Sequence, residues 1–303
     1  MQALIGVDMG GTKIEAAALD GAGRTLARER AATPKGAEAK AQTARALVDA
    51  VEARISASAL PVGVGHPGSI NLRTGRVRNA NSIDLNGVDL EALMEDALNR
   101  PVRLANDADC FALSEAIDGA GAEAASVFGV ILGTGVGGGI VIERRLWTGL
   151  DTIAGEWGHT PLPWPRDEER PGPECFCGKQ GCVETWCSGP GLSADLKRLS
   201  GIEADAKTIA QRAAASGGPE AEALERWLDR LARSLAVVVN ILDPHVIVLG
   251  GGLSDIEGVP DRLEAALATH VFTDEPRTKV RRNVHGAASG VRGAAWLWRE
   301  AAP

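Results

Sequence analysis

Leu4-Ile5-Gly6-Val7-Asp8-Met9-Gly10-Gly11-Thr12-Lys13 decides the architecture. Its apolar first part is a buried strand, and the two glycines ending it form a turn that lets backbone approach a ligand closely. Residues 13–20 then read as a second strand. The same strand, glycine turn and strand return at Val127-Phe128-Gly129-Val130-Ile131-Leu132, Gly133-Thr134-Gly135 and residues 137–143. Two further apolar runs, 61–65 and 246–249, end at His66-Pro67-Gly68 and Gly250-Gly251-Gly252. Helical spacing fills the intervals at 38–57 and 89–99. It is clearest at 220–242, where Leu224, Trp227, Leu228, Leu231, Leu235, Val238, Val239 and Leu242 keep to one stripe. Ser289 through Glu300 reads as a terminal helix with Ser289 as its candidate cap. Alternating strands and helices give an α/β class, and the repeated opening predicts two copies with a cleft between them. The expected domains are 1–108, completed by a C-terminal helix 289–303, and 109–288, which carries a zinc-binding insertion at 159–182.

Charge and composition remove several functional classes. With 32 Lys+Arg against 40 Asp+Glu the net charge is −8, the wrong sign for displacing counterions from nucleic acid. No run approaches the roughly twenty apolar residues of a membrane span. The N-terminus enters a strand pattern with no basic leader, so a cytoplasmic protein without membrane partners is expected. Four of the five cysteines fall within 175–187, and in such a chain that clustering reads as metal binding before disulfides.

Both glycine turns offer N–H groups to an anion. At the first, Gly10 and Gly11 can cradle phosphate, Thr12 and Lys13 add donors, and Asp8 at the strand end can hold a hydrated Mg²⁺. The spacing is not that of a P-loop, and a plain hairpin is the alternative. At the second, Gly133, Thr134, Gly135 and Gly137 lie in a stretch whose five glycines cost entropy a core hairpin need not spend. A strand follows this turn, which argues against a Rossmann site. One phosphate-type turn in each half makes a nucleoside triphosphate the economical ligand, with Gly250, Gly251 and Gly252 beside its purine and ribose.

At Leu104-Ala105-Asn106-Asp107 a short strand delivers Asn106 and Asp107 to its end, the usual place for ligands in an α/β crevice. A carboxylate there can take the proton of an attacking sugar hydroxyl. Alternatively either residue caps the following helix. Cys175, Cys177 and Cys182, in a Cys-x-Cys-x4-Cys pattern, can converge with His159 on a tetrahedral Zn²⁺. A filled shell of this kind is structural, and it would fold an insertion too polar to fold alone. Glu156 and Glu184 flank these ligands, so a fixed metal would hold both carboxylates at one wall of a sugar pocket; the alternative is that both are solvated. Asn81, in the polar loop after the Gly68 turn, offers an amide to the same cleft. The remaining histidines read as structural or surface residues, Cys110 and Cys187 as surplus core cysteines, and the charged run 166–170 as a solvated loop.

Taken together, residues 8–13, 133–139, 154–159 and 175–184 give the chain a resemblance to the ROK family (repressors, open reading frames, kinases) of the actin-like, ribonuclease H-like superfamily. More narrowly it is similar to bacterial fructokinases of the manno(fructo)kinase type, through 79–82, 103–108, 177–182 and 289–298. The resemblance implies an ATP-dependent hexose 6-phosphotransferase using catalytic Mg²⁺ and structural Zn²⁺, and a homodimer. It makes Asp107 the base and Gly68, Asn81, Asn106, Glu156, His159 and Glu184 sugar ligands, with His159 serving zinc as well. Fructose is the expected acceptor, with mannose, glucose or an N-acetylhexosamine as alternatives. A sugar-sensing regulator of the same family is the rival from another class; the seven residues before Asp8 and the acidic charge argue for the enzyme.

Overall fold

The computed structural model of the protein describes residues 3–299. The first part of the chain runs β1 (Leu4–Met9), β2 (Lys13–Leu19), β3 (Thr25–Ala32), α1 (Ala37–Arg54), β4 (Val62–His66), β5 (Ser69–Asn71), β6 (Arg76–Arg78), α2 (Leu90–Leu98), β7 (Val102–Asn106) and α3 (Asp107–Asp118). The second part adds β8 (Ser126–Leu132), β9 (Val136–Ile142), β10 (Arg145–Leu146), α4 (Val183–Cys187), α5 (Gly189–Ser200), α6 (Ala206–Ser216) and α7 (Pro219–Leu242). Then come β11 (Val246–Gly250), α8 (Val259–Leu267), β12 (Lys279–Arg282) and α9 (Ser289–Trp296).

One five-stranded sheet has the order β3-β2-β1-β4-β7 and the other β10-β9-β8-β11-β12, the same order element for element. In the first, β2 pairs antiparallel with β1 and β3, while β1, β4 and β7 are parallel. In the second, β8, β11 and β12 are parallel and β9 and β10 antiparallel. The duplicated α/β frame expected from the glycine turns is therefore present in the strand order. Two compact units emerge: one holds the chain to Ala122, Gly139–Ala154 and the segment from His285, the other Glu123–Gly138 and Gly155–Val284. The first includes the whole of α3, where the sequence suggested a cut near 108.

In the first unit α1 covers one side of the sheet and α9 lies against β1 and β4. With both faces covered, central strands read as continuous apolar runs, and Ile5, Val7, Val62 and Val64 are fully buried. The helix α9 comes so close that a Cβ on Gly6 would sit 1.9 Å from the Val291 carbonyl oxygen, and one on Gly293 1.7 Å from that of Cys110. Ser289 is not the cap: that position is Ala288, and the Ser289 hydroxyl instead donates to Glu115 at 2.9 Å. The preceding 3-10 turn at Gly286–Ala288 brings the chain into helical geometry before Ser289. Glu300 and the rest of the expected 289–303 helix lie outside the described residues.

In the second unit the stripe on α7 buries Trp227, Leu231 and Leu235, but also Arg230 and Arg233. Their partner is Glu169, bound by Arg230 at 2.7 Å and by Arg233 at 2.9 Å, while Asp195 of α5 takes Arg230 at 2.7 Å. The run 166–170 is thus not simply a solvated loop, because its Glu169 carboxylate fastens the insertion to α7.

Candidate active site

In the first unit the parallel strands β1, β4 and β7 end side by side, and their carboxyl ends carry the candidate residues. The 10–12 turn links β1 to β2. Thr33 holds it, donating its hydroxyl to the Gly10 carbonyl at 2.7 Å and its N–H to the Thr12 carbonyl at 3.1 Å. Gly11 faces open space, and Lys13 donates to Glu15 at 3.1 Å. Desolvation pushes the Asp8 carboxyl up to about 7, helped by the charges of Asp107 and Glu15 and opposed by Lys13. A cation arriving beside Asp8 would reverse that shift.

Asn106 plays the capping role: its Oδ1 accepts from the Ala108 N–H at 2.8 Å at the start of α3. Its Nδ2 donates to the Gly68 carbonyl at 2.8 Å, tying the end of β7 to the turn after β4. Gly68 has φ +78°, and a Cβ there would lie 2.5 Å from the Arg78 carbonyl oxygen and 2.7 Å from Ala80 N. That close approach seats the 79–82 loop, with Asn81 exposed on it. Asn86 clamps the loop in both directions, accepting from Ala80 N and donating to Ala80 O, each at 2.9 Å. Asp84, two residues after the loop, pairs with buried Lys40 from α1. Neither clamp was readable beforehand, since an amide among turn residues carries no distinguishing pattern. Asp107 opens α3 exposed, its Oδ1 accepting from Ala108 N at 2.8 Å.

In the second unit the turn between β8 and β9 is held from several sides. Gly189 N donates to Gly133 O at 2.8 Å, Val136 N to Glu184 Oε2 at 2.9 Å, and Trp157 Nε1 to Gly137 O at 3.0 Å. Glu184 is therefore not simply solvated. Desolvation raises the Glu156 carboxyl above its ordinary range, with His159 pulling it down and the Glu184 charge pushing it up.

Beside this turn opens a cavity of about 910 Å³, lined by Gly133, Thr134, Gly189 and Ser193, by the small residues Ala206, Ala210 and Ala214 of α6, and by Leu224, Gly252 and Leu253. Lys207, Asp205, Glu225 and Arg262 add charge to its lining. The volume is in the range of small-molecule pockets. Gly133, Thr134 and Gly252 all line it. Gly135, Gly137, Gly250 and Gly251 do not line it; Gly251, at φ +80°, instead lets the end of β11 pass the Leu132 carbonyl, where a Cβ would be 2.3 Å away. The wall made by α5 and α6 is not legible in the sequence, because an alanine-rich helix with few large apolar residues gives a faint periodic signal.

The donor atoms of His159, Cys175, Cys177 and Cys182 all lie within 4.8 Å of one another. His159 Nδ1 is 3.5 Å from Cys175 Sγ, and Cys177 Sγ is 3.6 Å from Cys182 Sγ. Zinc–sulfur bonds of about 2.3 Å in a tetrahedron put donors about 3.5–3.8 Å apart, so this cluster fits the ion. Desolvation, then its cysteine neighbours, pushes the Cys182 thiol up to about 12. Cation binding would therefore release protons. The other histidines do not join the cluster: His66 is buried beside Pro67 and held neutral by desolvation, and His285 pairs with Asp118 at 2.9 Å.

The sequence profile of the ROK family matches residues 4–301. The chain belongs to the ROK family. This ROK chain is similar to the N-acetyl-D-glucosamine kinase of Vibrio cholerae, at 38% identity over 96% of its own length and 98% of that protein. It is also similar to the solved ROK hexokinase of Thermus thermophilus, with a TM-score of 0.85, 30% identity, and coverage of 97% and 96% of the two chains. A third likeness is to the ROK glucokinase of Streptomyces griseus solved with glucose and AMPPNP, at TM-score 0.81, 30% identity, and coverage of 98% and 99%. The broad resemblance is thus established, whereas the narrower one to fructokinases is not supported by these relatives. Among the described residues no helix of the ROK chain is long and apolar enough to cross a membrane.

Proposed function

We propose that this ROK protein is an ATP-dependent sugar kinase acting on N-acetyl-D-glucosamine, in place of the fructose expected from the sequence. The observation that carries the acceptor is the 38% identity to the Vibrio cholerae N-acetyl-D-glucosamine kinase, spread over 96% of this chain and 98% of that one. Asp107 accepts the proton of the attacking sugar hydroxyl, and its place at the first turn of α3 gives the carboxylate a fixed position. Asn81, Asn106, Glu156, His159 and Glu184 bind the sugar hydroxyls, and Gly68 shapes the loop that carries Asn81. The two glycine turns, 10–13 and 133–137, hold phosphates, and the alanine-lined cavity of the second unit takes the nucleoside. Asp8 would hold a hydrated Mg²⁺, which when bound would supply charge neutralisation for the transferred phosphoryl group. His159, Cys175, Cys177 and Cys182 hold a structural Zn²⁺ that fastens the insertion.

Phosphoryl transfer from Mg·ATP to N-acetylglucosamine, N-acetylmannosamine, glucose, mannose and fructose, read as kcat/KM, tests the proposal. A preference for N-acetylglucosamine of tenfold or more is expected. Preference for another sugar overturns the acceptor and leaves the kinase standing. Sugar binding without any transfer overturns the kinase in favour of a sensor.

A further inference from the structure

We propose that Glu184 is a positioning residue for the phosphate turn at 133–137 and makes that turn part of the metal-binding element, an inference resting on the kinase reading. With glycine at 133, 135 and 137, the turn has side chains only at Thr134 and Val136, so groups outside it help to fix its shape. Three groups do so. Glu184 Oε2 accepts from Val136 N at 2.9 Å, Trp157 Nε1 donates to Gly137 O at 3.0 Å, and Gly189 N donates to Gly133 O at 2.8 Å. Trp157 stands two residues before His159, Glu184 two after Cys182, and Gly189 just beyond α4. All three anchors therefore flank the segment that the His–Cys cluster ties together. The carboxylate also explains a glycine: a Cβ on Gly135 would meet Glu184 Oε2 at 2.6 Å. Gly135 is thus needed for the approach of Glu184, independently of any phosphate.

An acceptor oxygen is all that the Val136 N–H requires, and a full negative charge beside a phosphate turn opposes nucleotide binding. The role of Glu184 in the turn should therefore survive replacement by glutamine, which keeps an acceptor and removes the charge. It should not survive alanine, which leaves the Val136 N–H without this acceptor.

The experiment is calorimetric titration of the full-length protein with Mg²⁺ and a non-hydrolysable ATP analogue, without sugar, on wild type, Glu184→Gln and Glu184→Ala. Hydrogen exchange at the Val136 amide is followed in parallel. Glu184→Ala should bind the analogue about tenfold more weakly, the weight of one charge-assisted hydrogen bond. Glu184→Gln should stay within about threefold of wild type and keep Val136 protected. Wild-type affinity in Glu184→Ala overturns the inference, as does an equal loss in both variants. If Glu184→Ala does not fold, the glutamine variant and the wild-type amide decide alone, and rapid exchange at Val136 in wild type overturns it. A wild type that binds no nucleotide defeats the kinase reading first, and exchange at Val136 then still reports on the bond itself.

Discussion

The two glycine turns stand at the same place in sheets of the same strand order, yet different parts of the chain hold them. In the first unit the 10–12 turn is fastened by Thr33, just beyond the neighbouring strand β3. In the second the 133–137 turn is fastened by Trp157, Glu184 and Gly189, which lie in or beside the insertion. The first turn is held from within its own sheet, whereas the second is held by residues that flank the His–Cys cluster, so the structural ion proposed there would also govern the shape of the turn. On the proposed reading, the acidic chemistry of Asp8 and Asp107 in the first half would be independent of the metal.

The comparison breaks most readily at the metal. Removing zinc with a chelator, or by Cys175→Ser with Cys177→Ser, should withdraw binding energy on the order of 10 kcal/mol from the insertion. Metal analysis should fall from one zinc per chain to none, and hydrogen exchange should rise across 133–137 and 155–190 while β1, β2 and α1 stay protected. Equal loosening in both units would erase the distinction. Asp107→Asn tests the other half: kcat should fall about 10²–10⁴-fold with little change in nucleotide affinity. A variant keeping more than a tenth of the wild-type rate would remove Asp107 from the role of base.

Glu169→Ala probes the second fastening of the insertion. Leaving Arg230 and Arg233 buried without this carboxylate should cost about 3–5 kcal/mol in unfolding free energy, seen as a lower denaturation midpoint with zinc retained. Asp8 gives the smallest effect. Its carboxyl titrates at about 7 in the folded protein, above its ordinary range near 4. Folding therefore takes up a proton between those values, so the stability Asp8 contributes is complete below about pH 4 and lost as pH rises through about 7. Without ligands, the melting temperature of Asp8→Asn should fall less than that of wild type between pH 5 and 8.

Legibility followed the range of the interactions. Strands such as Leu4–Met9 and Val246–Gly250 announce themselves because their apolar residues and terminal glycines are consecutive. The cysteine spacing was equally local, and the structure brings those donors together with His159. Within the 166–170 run, whose other residues are exposed, the burial of Glu169 was not legible because the residues neutralising it lie far along the chain on α7. Two arginines embedded in the apolar stripe of that helix were the available hint. The preference among sugars has no such local signature: the motifs at 79–82 and 103–108 pointed to fructose, while the full-length relatives are N-acetyl-D-glucosamine kinases.

The close seating of α9 on β1, β4 and α3 has a consequence for birth order. During synthesis the whole of the second unit leaves the ribosome before residues 285–299 do. The first unit, begun earlier, must wait with Gly6 and Gly63 uncovered until Val291 and Ala294 arrive to lie against them. The half that is made first is closed last, and a nascent chain stalled before α9 would display the backs of β1 and β4 to chaperones.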